Sequence, residues 1–383
     1  MKYYIIAGEA SGDLHGSNLI KGLREADPEA DCRIWGGDLM EAAGGQLVKH
    51  YRELAFMGFV EVLMNLRTIL GNMKFCKQDI LRYQPDALIL IDYPGFNLRI
   101  AKWAKAEGLK VYYYISPQLW AWHSSRVHGI KASVDRLFVI LPFEQDFYQQ
   151  YDYEVDFVGH PLMDVVDERP ARENFREEHQ LSSQPIIALL PGSRKQEIER
   201  MLEVMLEVVP DFPEHQFVIA GAPAQPESFY RQIVDKARPD TARVKLVDNR
   251  TYALLRHAEA ALVTSGTATL ETALFGVPQV VCYRGGRLSY LIARRLIDVE
   301  FIALANLIAG KEVVKELIQQ ECNARNLKAE LKKLLEPEHR QRILEGYRLI
   351  RERMGEPGAS RRTAELIVGY LRESERVSEK VRK

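Results

Sequence analysis

The feature that most constrains the fold of this chain is an alternation of short apolar runs with longer segments of helical period. The first series of runs lies at residues 3–7, 87–91, 110–115 and 136–141. The second series lies at residues 186–190, 216–220, 244–247, 260–264 and 279–282. Each run is almost wholly apolar, which is typical of parallel strands that helices cover on both faces. The alternation therefore predicts an α/β protein with two Rossmann-like, doubly wound domains.

The length of the chain also favours two domains, because 383 residues exceed what one hydrophobic core usually serves. Between residues 159 and 185 the sequence becomes polar and charged, which is typical of a linker with a connecting helix. After Asn323 the pattern is helical with mixed charges, and it ends in a tail without an apolar face. We therefore predict a first domain at 1–165, a second at 166–335, and C-terminal helices with a charged tail at 336–383.

Composition excludes several classes of protein. A formal net charge of -1 provides no overall positive field for holding nucleic acid. The four cysteines are far apart and form no CxxC pair, so the sequence predicts neither a disulfide framework nor a zinc site, and a reducing cytosol fits best. No run of about 18 apolar residues occurs, so any membrane contact is expected to be peripheral.

Carboxylates follow two of the apolar runs in the first domain. Residues 8–13, which include Glu9, Ser11 and Asp13, lie where a strand meets a helix, and α/β sheets bind ligands at such places. Because Glu9 and Asp13 would repel a pyrophosphate, these carboxylates suit an acceptor sugar hydroxyl better; capping and turn formation are the alternative. Asp92 follows the run at 87–91, where it is a candidate general base or a helix-capping group.

Aromatic side chains follow the next run of the same domain. Trp120 and Trp122 lie in the segment 116–122, and aromatic faces commonly stack on sugars or apolar ligands. Packing of the two indoles between the loop and the sheet is the alternative. The sequence leaves both interpretations open.

Two loops of the second domain have the residues of an anion site. Gly192, Ser193 and Arg194 follow a strand in a tight turn, where backbone N–H groups and a guanidinium can bind phosphate. The hydroxyl-rich segment 264–271 leads from a strand into a helix, and its Glu271 is spaced either to bind a ribose or to complement the helix dipole. A donor nucleotide on the second domain and an acceptor on the first would meet across a cleft.

Motifs of other enzyme classes are absent from the sequence. It contains no Walker lysine loop, HExxH or GxSxG, which weakens the kinase, metallohydrolase and serine-hydrolase interpretations. Metal-free group transfer is the chemistry that fits best. The apolar segment 54–70 and the basic residues near 284–295 are candidates for contact with a membrane surface, with core burial and a solvated helix face as the alternatives.

Specific segments occur along nearly the whole chain: GEASGD at 8–13, MGFVEVL at 57–63, IDYPGFN at 91–97, SPQLWAW at 116–122, LPFE at 141–144, GHP at 159–161, LPGSR at 190–194, SGTATLE at 265–271 and ANLIAG at 305–310. In order and approximate spacing they resemble the lipid-A-disaccharide synthase family. The resemblance implies a GT-B fold and an inverting, metal-independent glycosyltransferase without a cofactor. It also implies UDP-2,3-diacylglucosamine as the donor and 2,3-diacylglucosamine 1-phosphate as the acceptor of a β-1,6 linkage.

The resemblance also assigns roles to residues of this sequence. Asp92 is the implied base for the acceptor 6-hydroxyl, and Glu9 assists it or orients the acceptor. The implied donor site contains Gly192, Ser193, Arg194, Ser265, Gly266, Thr267, Glu271 and Asn306. The acceptor-side candidates are Ser11, Asp13, Asn97 and Trp120. The family motif often has a second aspartate where this chain has Gly95, so Asp92 is the only acid in its motif here.

The resemblance further implies a cytoplasmic enzyme at the inner face of the cytoplasmic membrane, and a homodimer whose C-terminal helices cross back onto the first domain and exchange between protomers. A non-hydrolysing UDP-sugar epimerase would have the same architecture, but it leaves the apolar segment 54–70 unexplained. A non-catalytic protein that binds a nucleotide sugar or a lipid is the third interpretation. Such a protein would tolerate replacement of Asp92 by asparagine with its affinity intact.

Overall fold

The computed structural model describes residues 1–54, 66–121, 126–167, 174–223, 225–237, 240–286 and 300–382. These residues form two compact units. The first unit is Met1–Asp164 together with Glu356–Lys383, and the second is Val165–Gly355. The first unit is therefore built from two separate stretches of the chain.

The first unit contains one sheet of seven parallel strands. Its strands are β1 (Lys2–Ala7), β2 (Asp31–Gly36), β3 (Gln46–His50), β4 (Ala87–Ile91), β5 (Val111–Tyr114), β6 (Arg136–Val139) and β7 (Asp156–Phe157). They are arranged in the order β3-β2-β1-β4-β5-β6-β7. The direction in which strands are added reverses between β1 and β4, and open α/β sheets bind ligands at the carboxyl ends of the strands beside such a switch point.

Helices cover both faces of this sheet. They are α1 (Ala10–Ala26), α2 (Asp38–Ala42), α3 (Leu66–Tyr83), α4 (Pro94–Ala106), α5 (Val127–Ser133), α6 (Phe143–Gln149) and, from the end of the chain, α16 (Ala359–Arg382). Helix α7 (Leu162–Asp167) includes the boundary between the two units. Successive side chains of β1 point to opposite faces: Tyr4 packs in the core beneath α3, α4 and α5, and Tyr3 packs in the core beneath α1 and α16. This burial on both faces explains why the strand has no charged residue from Tyr3 to Ala7.

Helices α1 and α16 pack closely at Gly22. A Cβ atom at Gly22 would lie 3.0 Å from the Cβ of Ala364 and 3.1 Å from the Cα of Arg361. We expect Gly22→Leu to destabilise the protein by about 1–3 kcal/mol in urea unfolding, because the larger side chain must push α16 away from α1. The matched control is Gly369→Leu, since Gly369 is an exposed glycine of α16 with nothing within 4 Å of its Cβ position. Equal stability of the two variants would contradict the close packing.

The second unit contains a sheet of six parallel strands. Its strands are β8 (Ile186–Leu190), β9 (Gln216–Gly221), β10 (Val244–Asp248), β11 (Ala258–Thr264), β12 (Gln279–Tyr283) and β13 (Lys315–Ile318). Their order is β10-β9-β8-β11-β12-β13, with the switch point between β8 and β11. Its helices are α8 (Phe175–Glu178), α9 (Lys195–Leu206), α10 (Glu227–Ala237), α11 (Thr251–His257), α12 (Thr267–Leu274), α13 (Leu304–Ala309), α14 (Ala324–Leu335) and α15 (Pro337–Met354).

Helix α15 belongs to the second unit, although the sequence interpretation grouped residues 336–383 together on the first domain. The physical reason is the buried side chain of Tyr347, whose hydroxyl donates a hydrogen bond to the carbonyl oxygen of Val277 at 3.0 Å. The apolar face around it, with Ile350 and Met354, is also buried. Helix α16, which begins at Ala359, belongs to the first unit and packs in its core.

The charged end of the sequence continues as helix, because α16 extends to Arg382. It is the longest described helix, with 24 residues. Across the described ranges, no helix combines the length and the apolar character that crossing a membrane requires.

Candidate active site

The backbone around Asp92 is held firmly at the carboxyl end of β4. The Asp92 amide donates to the Tyr114 carbonyl at 3.1 Å, and the Asp92 carbonyl accepts from the Tyr113 hydroxyl at 2.6 Å. Asp92 and Tyr93 both have left-handed backbone conformations, with φ of 43° and 50°. A left-handed conformation costs about 1–3 kcal/mol for a residue other than glycine, and strain of this kind concentrates at functional sites. These backbone hydrogen bonds fix the position from which the Asp92 side chain extends.

The Asp92 carboxyl group is poised to exchange a proton near neutral pH. Burial, and then the charge of Glu9, raise the pKa of Asp92 to about 6. Glu9 follows β1, the strand beside β4, so both carboxylates lie at the switch point of the first sheet. Glu9 itself is exposed. A carboxylate with a pKa just below the working pH is suited to act as a general base.

The approach of the two loops depends on a glycine. A Cβ atom at Gly8 would lie 2.3 Å from the ring of Tyr93, so any larger residue would displace that ring. The Tyr93 hydroxyl in turn donates to the Leu54 carbonyl at 3.3 Å. Local sequence patterns could not predict this contact.

Two of the acceptor-side candidates, Asp13 and Asn97, are buried and form hydrogen bonds to the backbone around the site. Asp13 is buried, and its carboxylate accepts hydrogen bonds from the amides of Gly37, Leu39 and Met40 at 2.8, 3.1 and 3.0 Å. It thereby holds the start of α2. The amide nitrogen of buried Asn97 donates to the Asp92 carbonyl at 2.8 Å. Direct contact of either residue with an acceptor stays a prediction.

The two remaining acceptor-side candidates are more accessible. Ser11 is exposed in the first turn of α1. Trp120 is half-buried, and its ring lies edge-on to Phe143 with 5.0 Å between centroids. The packing alternative that the sequence left open therefore applies to at least part of this indole. Trp122 lies outside the described residues.

Below Trp120 is a buried carboxyl group that sequence reasoning quoted only as part of LPFE. Glu144 accepts hydrogen bonds from the amides of Ile140 and Leu141 at 3.2 and 2.9 Å, and burial raises its pKa to about 8. Two half-buried histidines, His15 and His160, were also missed as a pair. Burial lowers the pKa of His15 to about 4, and burial together with His15 lowers that of His160 to about 3, so both are neutral at pH 7.

The structure brings two predicted anion-binding loops to neighbouring strands of the second unit. Gly192 to Arg194 follow β8, and Ser265 to Thr267 follow β11, which pairs with β8. Gly192 has a φ of 105°, a conformation that favours glycine. The Ser193 amide donates to the Glu197 carboxylate at 3.1 Å. Arg194 is exposed and forms no ion pair with any described residue.

A cavity of about 480 Å³ lies beside Glu271. Its lining consists of Val165, Asn249, Arg250, Thr251, Tyr252, Ala253, Arg256 and Glu271. Tyr252 donates to the Glu271 carboxylate at 3.3 Å and stacks on Phe275 at 5.2 Å. Burial raises the pKa of Glu271, and the bond from Tyr252 opposes this shift. The volume falls within the range of small-molecule sites.

Asn306, a predicted donor-site residue, is fully buried and uses its amide internally. Its oxygen accepts from the amides of Val313 and Val314, and its nitrogen donates to the Val314 carbonyl and the Glu316 carboxylate. Contact of Asn306 with a donor stays a prediction. The described residues contain no group of three or more His, Cys, Asp or Glu side chains arranged to hold a metal ion. Metal independence also stays a prediction.

The predicted membrane-facing segments are described only in part. Residues 55–65 and 287–299 lie outside the described residues. At the flanks of the first segment, Leu54 is buried and Leu70 is 57% exposed.

Solved structures with the same fold include nucleotide-sugar enzymes. The chain superimposes on a UDP-bound MnaA of S. aureus with a TM-score of 0.70, at 14% identity and 97% coverage of each chain. It superimposes on a glycotransferase of kitacinnamycin with a TM-score of 0.65, at 14% identity, covering 97% of this chain and 99% of the other. These similarities confirm the predicted fold class, a GT-B type α/β protein with two doubly wound units.

Relatives in sequence are much closer. The family model described as lipid-A-disaccharide synthetase matches residues 3–367. A lipid-A-disaccharide synthase of Syntrophus aciditrophicus is 42% identical over 377 residues, covering 97% of this chain and 98% of that protein. One of Nitrosococcus oceani is 41% identical over 373 residues, covering 96% and 95%. These matches confirm the resemblance and the prediction of a glycosyltransferase. The chain belongs to the lipid-A-disaccharide synthetase family.

Proposed function

We propose that this enzyme joins UDP-2,3-diacylglucosamine to 2,3-diacylglucosamine 1-phosphate, forming a β-1,6 disaccharide 1-phosphate and UDP with inversion at the anomeric carbon. The observation that carries the proposal is the Asp92 carboxylate at the switch point of the first sheet, with its pKa raised to about 6. The family of the chain supports the substrates, and the raised pKa supports the role of the base.

On the acceptor side, Asp92 takes the proton of the 6-hydroxyl as its oxygen attacks the anomeric carbon from the face opposite UDP. The new carbon–oxygen bond forms while the bond to the UDP oxygen breaks, so a single displacement inverts the configuration. The exposed Glu9 orients the acceptor or assists the proton transfer. With Gly95 in the motif, no second acid there shares this work.

On the donor side, the departing UDP gains negative charge, and groups already in place must stabilise it. The exposed guanidinium of Arg194 and the N–H groups at the start of α12 are suited to the diphosphate. Glu271 and Tyr252 line the adjoining cavity, where the carboxylate can accept hydrogen bonds from the ribose hydroxyls. Transfer proceeds in this proposal without a metal ion or another cofactor.

We expect the rate of transfer to fall as the pH drops through about 6, because protonated Asp92 cannot accept the acceptor proton. The raised pKa places this loss well above the pH at which an ordinary aspartate is protonated. Below the pKa, kcat/KM for the acceptor should decrease about tenfold per pH unit. The profile should be measured at saturating donor, with UDP binding followed over the same range as a control. A constant kcat/KM down to pH 5 would contradict the assignment of the base.

The reaction itself is tested by measuring UDP release from UDP-2,3-diacylglucosamine with and without 2,3-diacylglucosamine 1-phosphate. Products are identified by mass spectrometry. Acceptor-dependent release with a disaccharide product supports the proposal. Conversion of UDP-N-acetylglucosamine alone, without any disaccharide, would replace it with the epimerase interpretation.

For its location, we propose a cytoplasmic enzyme that contacts the inner face of the cytoplasmic membrane through residues 54–70 and the basic residues near 284–295. The exposed apolar side chains of Leu70 and Phe75 on α3 support this orientation. Vesicle flotation tests this membrane contact, and absence of binding to anionic vesicles would exclude it.

We also propose a homodimer with exchanged C-terminal helices. Light scattering tests this proposal, and finding only monomer would exclude it.

A further inference from the structure

Glu316 is a buried carboxylate to which neither the sequence interpretation nor the proposed reaction gives a role. It lies on β13, is 8% exposed, and accepts hydrogen bonds from the amides of Ile302 and Ala303, both at 3.0 Å. The Asn306 side chain donates a third hydrogen bond to it, at 2.9 Å. Within the described residues, no cationic side chain pairs with Glu316.

A buried carboxylate without a cationic partner is a costly way to stabilise a fold. Its removal from water costs several kcal/mol, and only the three N–H donors offset this cost. An apolar side chain would fill the same position on β13 without that penalty. The specific result of using a carboxylate here is that the backbone at residues 302–303 is fixed in one place.

That backbone lies against one of the predicted anion-binding loops. The carbonyl of Ile302, whose amide is held by Glu316, accepts a hydrogen bond from the Ser265 hydroxyl at 3.0 Å. Ser265 follows β11 at the switch point and opens the loop into α12. A continuous series of hydrogen bonds therefore runs from Glu316 through Ile302 to Ser265.

Asn306 fixes the other side of the same segment. Its oxygen accepts from the amides of Val313 and Val314, so it ties α13 to the chain that enters β13. Its amide nitrogen donates to Glu316, so Asn306 links α13 both to the residues before β13 and to the carboxylate that holds residues 302–303.

We propose that Glu316 is a positioning residue for the donor diphosphate, acting through the backbone of residues 302–303 on Ser265. This inference rests on the proposed function, because it requires the 265–267 loop to bind the donor. Glu316 does not touch the donor. It sets the position of the Ser265 hydroxyl and of the α12 N-terminus beside it.

Glu316→Gln tests the proposal, because it keeps the shape of the side chain but replaces one accepting oxygen with a donor. The NH₂ group of the glutamine would face a backbone N–H group at residue 302 or 303, so one of these two hydrogen bonds would be lost. UDP affinity should weaken and the donor KM should rise by about 10-fold to 100-fold, with the acceptor KM within twofold of wild type. The matched control is Glu312→Gln, which changes an exposed glutamate three residues before Lys315 on the same segment.

Asn306→Asp is the second variant, because it preserves the oxygen that binds Val313 and Val314 but places a carboxylate against Glu316. It should show the same selective loss toward the donor. Wild-type UDP affinity in a Glu316→Gln protein of lowered thermal stability would overturn the inference and leave the proposed function standing. Absence of UDP binding by the wild-type protein would overturn both.

Discussion

Replacing Asp92 with asparagine is expected to lower kcat by about 10²–10⁴-fold, the usual contribution of a general base. Asparagine has nearly the same shape and tolerates the left-handed conformation that residue 92 adopts, so the fold and the hydrogen bonds of its backbone should persist. UDP affinity should be unchanged, because the proposed donor site lies in the other unit. The measurements are initial rates of disaccharide formation and equilibrium binding of UDP.

The matched control for this change is Asp152→Asn. Asp152 is an exposed aspartate of the same unit with a φ of 50°, close to the 43° of Asp92. Its replacement should leave the rate within twofold of wild type. If the Asp92 variant retained more than a tenth of the wild-type rate, the proton would have to leave through another group, and Glu9→Gln would be the next variant to test.

The second large effect is expected for Arg194→Ala, which should lower kcat by about 10²–10³-fold, the loss typical of removing one donor to the charge that develops in the transition state. Arg194 is the N-cap residue of α9 and is exposed, so truncation leaves no buried group unpaired. UDP should bind more weakly as well, because the guanidinium would contact the diphosphate before and after transfer. Arg194→Lys should recover only part of the loss, since an ammonium cannot form two parallel hydrogen bonds.

Arg231→Ala is the matched control, because Arg231 is an exposed arginine of the same unit that pairs with Glu227 on one helix. Surface pairs of this kind contribute little to stability. Unchanged kcat and unchanged UDP affinity in Arg194→Ala would contradict the proposal that the turn after β8 belongs to the donor site. The 265–267 loop and the cavity beside Glu271 would then be the remaining candidates.

Most of the fold follows from local sequence patterns. Tyr3 and Tyr4 belong to a run that is apolar on both faces, so the run could be recognised as an inner parallel strand without any knowledge of its neighbours. The position of α15 could not be predicted in this way. Its helical pattern shows that it has a buried face, but the partner of Tyr347 is a carbonyl at Val277, seventy residues earlier in the chain.

In the site, too, local sequence predicts some residues, whereas others depend on contacts between distant segments. Asp92 follows a strand of the first sheet, and Arg194 and Ser265 follow strands of the second, so the place of each at the carboxyl edge of its own sheet could be predicted from the sequence. Tyr252 and Glu316 contribute through contacts between distant segments, and nothing in their local sequence marks them. Burial was also invisible in the sequence, so the internal hydrogen bonds of Asp13 and Asn306 could not be predicted, and their contact with a ligand stays a prediction.

The contribution of α16 to the first unit has a consequence for how the protein is made. The first 164 residues leave the ribosome early, but the helix that covers the α1 face begins only at Ala359. The second unit, Val165–Gly355, is one continuous stretch and can be completed while that face still lacks its cover. During translation the apolar surface around Leu19 and Leu23 therefore lacks this cover until residues 359–382 have been synthesised.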